Sequence, residues 1–511
     1  MPDSQITDEV PLPSAMPLEA LYRHASERPD AIALISGDDV WSYQRLADGV
    51  AQLSSGLRHA GIQPGDRILA VARTSPLHAV FMFAAMMTGA ILVPVRAEFK
   101  AGELDDFLRV VRPAFFIYEP DLQDVVSQIN PARLEHVQTF LTDDDGARSW
   151  RHLLVDAHRQ GVALPEDIDS VFLLLATSGT TGKPKLVAYS QRVISHMLGA
   201  ARPWVVAGYD SCLIGSTQVA HVSGTITMMA ALVNGCKEIL LSRFDADMVL
   251  DAIEQYRGTT MFVAPFLCMP LIHAQRKRAR DVRSLLVCSV GGDACRPQIA
   301  EEFETTFNVQ LHNAYGLTEC IGSAFVRPGW RTIRAVPGRA RLVDTNGDVV
   351  PAGEVGELQT RGPNLSLGYW TGPGDIASHT RDGWFPTGDL VVQDAEGNYQ
   401  FVGRSKDLIV YNANKIAPAE VENELIKHAA VADAAVAGAH DDKSGQRVVA
   451  LIKLTDEGQS ANVEAGAILS WMESRMAAFK VPELLVFVDA IPRNALGKID
   501  RIAVARIATS V

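Results

Sequence analysis

The 511-residue chain lacks an apolar run long enough to span a bilayer. Its most apolar stretch, Ala79 to Val95, is broken by Gly89 and Pro94 and falls short of the roughly 20 residues that a spanning helix needs. It reads instead as a buried helix followed by a strand. Cysteine is scarce: the six residues Cys212, Cys236, Cys268, Cys288, Cys295 and Cys320 contain no CxxC pair, which argues against a zinc ribbon or a disulfide framework. Most of them sit in apolar runs, as buried reduced thiols would, and predict a cytoplasmic location. Positive charge is in deficit, with 47 Lys and Arg against 60 Asp and Glu and a formal net charge of -13. A chain-wide nucleic-acid surface is therefore not expected, because neutralising phosphates takes clustered cations. The densest basic run, Arg276 to Arg280, reads as a solvated helix face. The segment Met1 to Pro17 has neither the basic nor the apolar region of a signal peptide and reads as a flexible tail.

What is present is material for a large core. Hydrophobic residues make up 47% and charged residues 21%, a globular balance, and the length predicts a large domain plus a smaller one. Leu46, Val50, Leu53 and Leu57 recur at helical spacing after Ser42, with Gly61 as a stop,. Ile68 to Ala72 reads as a strand. The short apolar runs Val171 to Leu175, Thr260 to Ala264 and Leu285 to Val290 precede turn-rich segments. Such runs suit strands buried on both faces of a mainly parallel sheet. Arg447 to Leu454 and Leu484 to Val488 predict strands of a later unit, and Pro418 opens a helix carrying Val421 and Leu425,. The fold class expected is α/β: a large N-terminal domain, residues 1–402, of mainly parallel sheets layered with helices, then a small mobile α+β domain, residues 403–511.

One loop carries phosphate chemistry. Thr177, Ser178, Gly179, Thr180, Thr181, Gly182, Lys183, Pro184 and Lys185 follow the Val171–Leu175 run. Glycines permit close backbone approach, hydroxyls and amides can surround phosphate oxygens, and the lysines supply charge. A Walker loop is excluded, because only Thr180 and Thr181 separate the glycines and Pro184 follows Lys183,. Taken alone, the segment fits a flexible surface loop equally well.

The loop resembles the phosphate loop of the superfamily of adenylate-forming enzymes, which includes acyl-CoA synthetases, peptide-synthetase adenylation domains and beetle luciferases. Further segments follow in that family's order: Asn313-Ala-Tyr-Gly-Leu-Thr-Glu319, Gly356 to Gly362, Gly383 to Asp389, Gly403-Arg-Ser-Lys-Asp407 and Pro492-Arg-Asn-Ala-Leu-Gly-Lys498. Gly65-Asp66 and Gly89-Ala90 fit its early segments, so the resemblance runs from about residue 18 to the C-terminus.

The resemblance implies ATP-dependent activation of a carboxylic acid to an acyl-adenylate with release of pyrophosphate, followed by thioester formation with coenzyme A. The expected class is an AMP-forming carboxylate–CoA ligase of fatty or aromatic acid metabolism. Two anions must meet in the first step, so the site needs positive charge there; Lys498 is the implied bridge between carboxylate and α-phosphate. Glu319 is the implied Mg²⁺ ligand, since that hard cation takes a carboxylate together with phosphate oxygens and water, and Thr318 contacts phosphate. Asp389 would accept both ribose hydroxyls, with Arg404 on the same ribose or in a salt bridge. Gly292, Asp293 and Ala294, with Asn313, Ala314, Tyr315 and Gly316, resemble the strips enclosing adenine. Tyr315 either stacks on the base or packs in the core.

His221 matches the family's aromatic gate near the carboxylate, and a core histidine is the alternative. No acid between Gln218 and Met229 matches the Asp that holds an α-amino group in peptide-synthetase domains. An aromatic or aliphatic acid is therefore expected, with His221, Val222, Thr225, Met228 and Phe266 lining its pocket, although core packing explains Met and Phe equally well. Lys406 is the implied hinge about which the small domain rotates between half-reactions. Three positions depart from the family pattern: Leu186 follows Lys185 in place of glycine, Gln191 replaces a histidine, and Ala413 replaces a glycine lining the pantetheine path. The last bears on the acceptor, so a carrier-protein phosphopantetheine arm, or ring closure to a β-lactone, stands as the alternative second step. An inactive nucleotide-binding homologue is the remote alternative. The partners expected are the carboxylic acid, ATP and coenzyme A, with no nucleic acid and no membrane span, in a monomer or homodimer.

Overall fold

The computed structural model describes residues 15–142, 146, 148–155, 167–177, 185–201, 210–293, 295, 297–321, 325–326, 333–411, 414–441, 445–494 and 498–510. Expectations for Ser178, Gly179, Thr180, Thr181, Gly182, Lys183, Ala294 and Ala413 lie outside the described residues. The chain divides into two compact units, residues 1–339 with 361–385 and residues 340–360 with 386–511.

In the first unit, seven described strands form a sheet in the order Leu311–Ala314, Val287–Gly291, Thr260–Val263, Cys212–Gly215, Lys237–Leu240, Ile32–Ser36, Asp39–Ser42. Every pair is parallel except the terminal hairpin. A second sheet of eight described strands runs from Asp375–Ala377 through Gly368–Gly372, Lys185–Ser190, Val171–Thr177, Ile91–Val95, Arg67–Val71 and Phe115–Tyr118 to Gln138–Leu141. Its last five strands are parallel, as their continuous apolar runs predict,.

The sheets enclose an inner layer of helices. Pro76–Thr88 is buried at every position, the expected behaviour of a helix apolar all round. Gly89 ends it in a left-handed conformation before the strand Ile91–Val95. The helices Pro17–Glu27, Tyr43–His59 and Val222–Val233 share its core, which draws Leu34 and Leu213 from one sheet and Leu92 and Leu175 from the other. Ser42 caps Tyr43–His59 by accepting from the Arg45 amide at 3.1 Å, at the start its sequence predicts. Outer helices cover the far faces: Ala246–Tyr256, Pro265–Lys277 and Pro297–Phe307 on the first sheet, Ala101–Val111 on the second. Five of the six thiols are buried, Cys295 is partly so, and none is in a disulfide.

Arg276, Lys277 and Arg278 are exposed, as a solvated face requires, and within the basic run Arg280 alone departs from it. Arg280 has a fully buried side chain that donates from Nε to Asp251 at 3.0 Å and also pairs with Asp247. Arg278 meets Asp251 at 2.6 Å and Arg276 meets Glu302 at 2.6 Å. Its three arginines pin the end of one outer helix to its neighbours.

In the second unit, Ala340–Val343 pairs with Val355–Thr360, and Phe385–Gln393 with Asn398–Arg404, each antiparallel. Another sheet contains Asn414–Ile416, Ile409–Tyr411, Gly445–Leu454, Val431–Asp441 and Leu484–Phe487. Helices Pro418–Leu425 and Ala465–Glu473 pack on one face and Arg501–Thr509 on the other. This is the α+β unit that Pro418 and the two late strand patterns predict. Among the described residues no helix is long and apolar enough to cross a membrane.

Candidate functional site

The phosphate-loop segment is held at its stem. Strands Val171–Thr177 and Lys185–Ser190 form an antiparallel hairpin that pairs Thr177 with Lys185, so both ends of the loop leave from one corner. Leu186, where the family pattern has glycine, is buried in the core beside the sheet and pairs with Trp370 on the next strand. Its side chain fills that core, which accounts for the departure. Gln191 begins the following helix and is buried.

Thr318 and Glu319 form the two-residue turn between Gly316–Leu317 and Cys320–Ile321. Two tyrosines from the neighbouring sheet anchor this turn. The Tyr189 hydroxyl donates to the Thr318 carbonyl, and the Tyr369 hydroxyl donates to Glu319 Oε1 at 2.7 Å. The Ser366 amide donates to the Glu319 carbonyl at 2.8 Å. Lys185 Nζ lies 4.6 Å from the Tyr369 ring centroid, a cation–π contact. His379 sits edge-on to Tyr369 at 5.6 Å and shares a 2.7 Å hydrogen bond with Ser366 Oγ. Burial, reinforced by the Glu319 carboxylate, raises the Tyr369 phenol, so it remains a donor. Burial lowers the His379 imidazole to about 4, so it is neutral at pH 7. Three distant parts of the chain thus converge as Lys185, Tyr369 and Glu319. Tyr369 and His379 escaped the sequence reading; the signal for Tyr369 was its position after Gly368 in a strand pattern shortly beyond Gly362.

The remaining candidates of this unit stand at the carboxyl ends of parallel strands, where open α/β sheets bind ligands. Gly291 pairs with Ala314 on the adjacent strand, and a Cβ on Gly291 would collide with the Ala314 carbonyl oxygen. Gly292 takes φ +87, a turn that favours glycine. Asp293 follows this turn and is exposed, and Asn313, Ala314, Tyr315 and Gly316 continue from the neighbouring strand, partly buried. The two strips are therefore neighbours.

His221 caps the helix Val222–Val233. Its Nδ1 accepts from the Ser223 amide at 3.2 Å and meets Ser223 Oγ at 2.8 Å, which leaves the proton of the neutral ring on Nε2. The segment before it is braced where Gln218 bridges Arg96 Nε at 3.1 Å and Glu98 Oε1 at 2.9 Å. Val222 and Met228 belong to the inner core, and Thr225 is buried with its hydroxyl donating to the Val219 carbonyl at 2.7 Å. Phe266 is 38% exposed in the first turn of helix Pro265–Lys277, directly after the carboxyl end of strand Thr260–Val263.

In the second unit, Asp389 and Arg404 face each other across two paired strands, with Arg404 Nε 2.9 Å from Asp389 Oδ1. The Asp389 side chain is 2% exposed and that of Arg404 37%. Thr387 Oγ1 accepts from the Asp389 amide at 3.1 Å. Lys406 follows in a short turn, and burial lowers its ammonium pKa ahead of the effects of neighbouring charges. Lys498 is held through its backbone: its amide donates to Asn494 Oδ1 at 3.1 Å and its carbonyl accepts from the Asn494 amide at 2.8 Å. Two residues on, Asp500 caps the last helix, where Arg501 clamps the buried Glu422 through Nη2 at 3.0 Å.

Residues 21–370 match the family described as "AMP-binding enzyme", and residues 420–498 match "AMP-binding enzyme C-terminal domain". A feruloyl-CoA synthase from an Amycolatopsis species is 30% identical over 486 residues, covering 93% of this chain and 96% of that protein. The indoleacetate–CoA ligase of Aromatoleum aromaticum is 32% identical over 496 residues, covering 94% and 96%. Among solved structures, ATP-bound MatB from Rhodopseudomonas palustris superposes with a TM-score of 0.86 at 24% identity, covering 97% of this chain and 99% of that one.

Proposed function

The chain belongs to the family of AMP-binding enzymes, and from that premise we propose that it is an AMP-forming carboxylate–CoA ligase. It joins an organic acid to the α-phosphate of ATP, releases pyrophosphate, and passes the acyl group from the adenylate to the thiol of coenzyme A. The convergence of Lys185, Tyr369 and Glu319 carries this reading. It sets a cation and an oriented carboxylate beside the stem of a Gly- and Thr-rich loop, the pairing a triphosphate requires. The curated relatives that act on feruloyl and indoleacetyl groups support an aromatic acid as substrate.

Glu319 fits Mg²⁺. Tyr369 orients one carboxylate oxygen, and the described residues contain no group of three side chains able to hold a metal. A single carboxylate is the donor set of an ion that shares its coordination with substrate phosphates and water. When bound, the ion neutralises phosphate oxygens. The loop residues and Lys185 take the phosphates, and Thr318 adds a contact on the same turn. The strips at Gly292 and Tyr315 take adenine. Asp389, with Arg404 beside it, takes the ribose hydroxyls. Lys498 offsets the charge where carboxylate meets α-phosphate, and Lys406 is the hinge of the small domain, residues 403–511, between half-reactions.

A pyrophosphate-release screen over aliphatic, aryl and hydroxy acids, with and without coenzyme A, tests the reading. Acid-dependent release accompanied by free acyl-CoA supports it. Acid-dependent release without thioester moves the acceptor to a carrier protein or an internal hydroxyl, and no release with any acid overturns it.

A further inference from the structure

The face of the first sheet that meets the inner helix layer carries polar groups among its apolar ones. The strand register aligns Glu238 and Thr260 with Leu213, and Ser289 with Phe262, all on this face. Glu238, Thr260 and Ser289 are 1%, 3% and 2% exposed. Among the described residues, Glu238 Oε2, Thr260 Oγ1 and Ser289 Oγ have no hydrogen-bond partner. Groups buried in this way cost free energy unless something else satisfies them. On the same face Phe262, Val287 and His312 are only partly buried, so the face is open to solvent beside the polar row.

The Glu238 carboxyl also points toward the carboxyl ends of the strands. A Cβ on Gly215 would stand 2.8 Å from Glu238 Oε1, although Glu238 pairs with Leu213, two residues earlier. The carboxyl therefore leans along the strand to its carboxyl end, over Gly215, which has no side chain. Helix Val222–Val233, capped by His221, packs across both strands.

We propose that Glu238 is a specificity-determining residue for the acid substrate, donating a hydrogen bond to an oxygen-bearing group at the end remote from its carboxylate. The inference rests on the ligase reading above and narrows its substrate to acids with a distal hydroxyl or carbonyl. Burial holds the Glu238 carboxyl well above its ordinary range, so it carries the proton such a bond requires. An acid without the distal oxygen leaves that donor buried and unpaired, which is how a polar pocket rejects an apolar analogue.

The test is acid-dependent ATP–pyrophosphate exchange with matched acids, 4-hydroxycinnamate against cinnamate and an ω-hydroxyalkanoate against the unsubstituted chain. Wild-type protein is expected to favour the oxygenated member of at least one pair by roughly tenfold or more in kcat/KM. Glu238→Leu should remove most of that ratio, and Gly215→Ala should do the same by displacing the carboxyl. Glu238→Gln, which keeps a donor, should retain most of it. Thermal unfolding of each variant separates altered selectivity from a lost fold. Exchange with no preference in either pair, or a ratio unmoved in every folded variant, overturns the role of Glu238 and leaves the ligase reading standing. No exchange with any acid in wild-type protein overturns the ligase reading and this inference with it.

Discussion

The Tyr369 hydroxyl donates to Glu319 Oε1 at 2.7 Å, joining residues 50 positions apart. Removing that hydroxyl should weaken the site while leaving the ring, and its contact with Lys185, in place. A hydrogen bond to a charged group contributes about 1.5–3 kcal/mol, so Tyr369→Phe is expected to lower kcat/KM for pyrophosphate exchange by roughly tenfold or more. The loss should shrink as Mg²⁺ is raised. An exchange rate unchanged at every Mg²⁺ concentration would detach Tyr369 from the reaction.

Lys498→Ala should abolish adenylate formation and spare acyl transfer from a supplied acyl-adenylate, because its charge is needed only where carboxylate and phosphate meet. Single-turnover assays of each half-reaction check this. Equal loss in both would contradict the assignment of Lys498 to the first step.

Gly291→Ala places a methyl group against the Ala314 carbonyl oxygen, and two paired strands must move apart to admit it. The expected result is a KM for ATP raised by roughly tenfold or more, with a smaller change for the acid. Isothermal titration with a non-hydrolysable ATP analogue reads the effect without turnover.

The fully buried imidazole of His78 is lowered to about 4. A histidine held neutral in the fold binds its proton first in the unfolded chain, so stability falls as pH drops from about 6.5 toward 4. The effect reaches roughly 3 kcal/mol at the acid end. Urea unfolding of wild-type protein and His78→Gln at pH 7 and pH 4.5 measures it. The variant should show the smaller loss between those pH values.

Much of this architecture was legible in the residue pattern. The helix at Pro76–Thr88 and the strand after it followed from apolar runs broken by glycine, and the parallel strands from runs with no polar alternation. Those signals are local. The ordered motifs marked Glu319, Asp389 and Lys498, because each belongs to a segment whose glycines and polar residues are contiguous in sequence. What escaped was contact between segments. No spacing rule places Tyr369 on Glu319, or turns Glu238 inward from a strand that otherwise reads as apolar. Arg280 is the converse case. It looked like one more solvated cation, and two aspartates on a neighbouring helix bury it.

The formation of an acyl-adenylate is tested most directly with an acid labelled with ¹⁸O in its carboxylate. Attack of the carboxylate on the α-phosphate followed by acyl transfer must leave one labelled oxygen in AMP, as mass spectrometry of the nucleotide will show. Label in pyrophosphate or inorganic phosphate, or unlabelled AMP formed alongside product, would contradict the account.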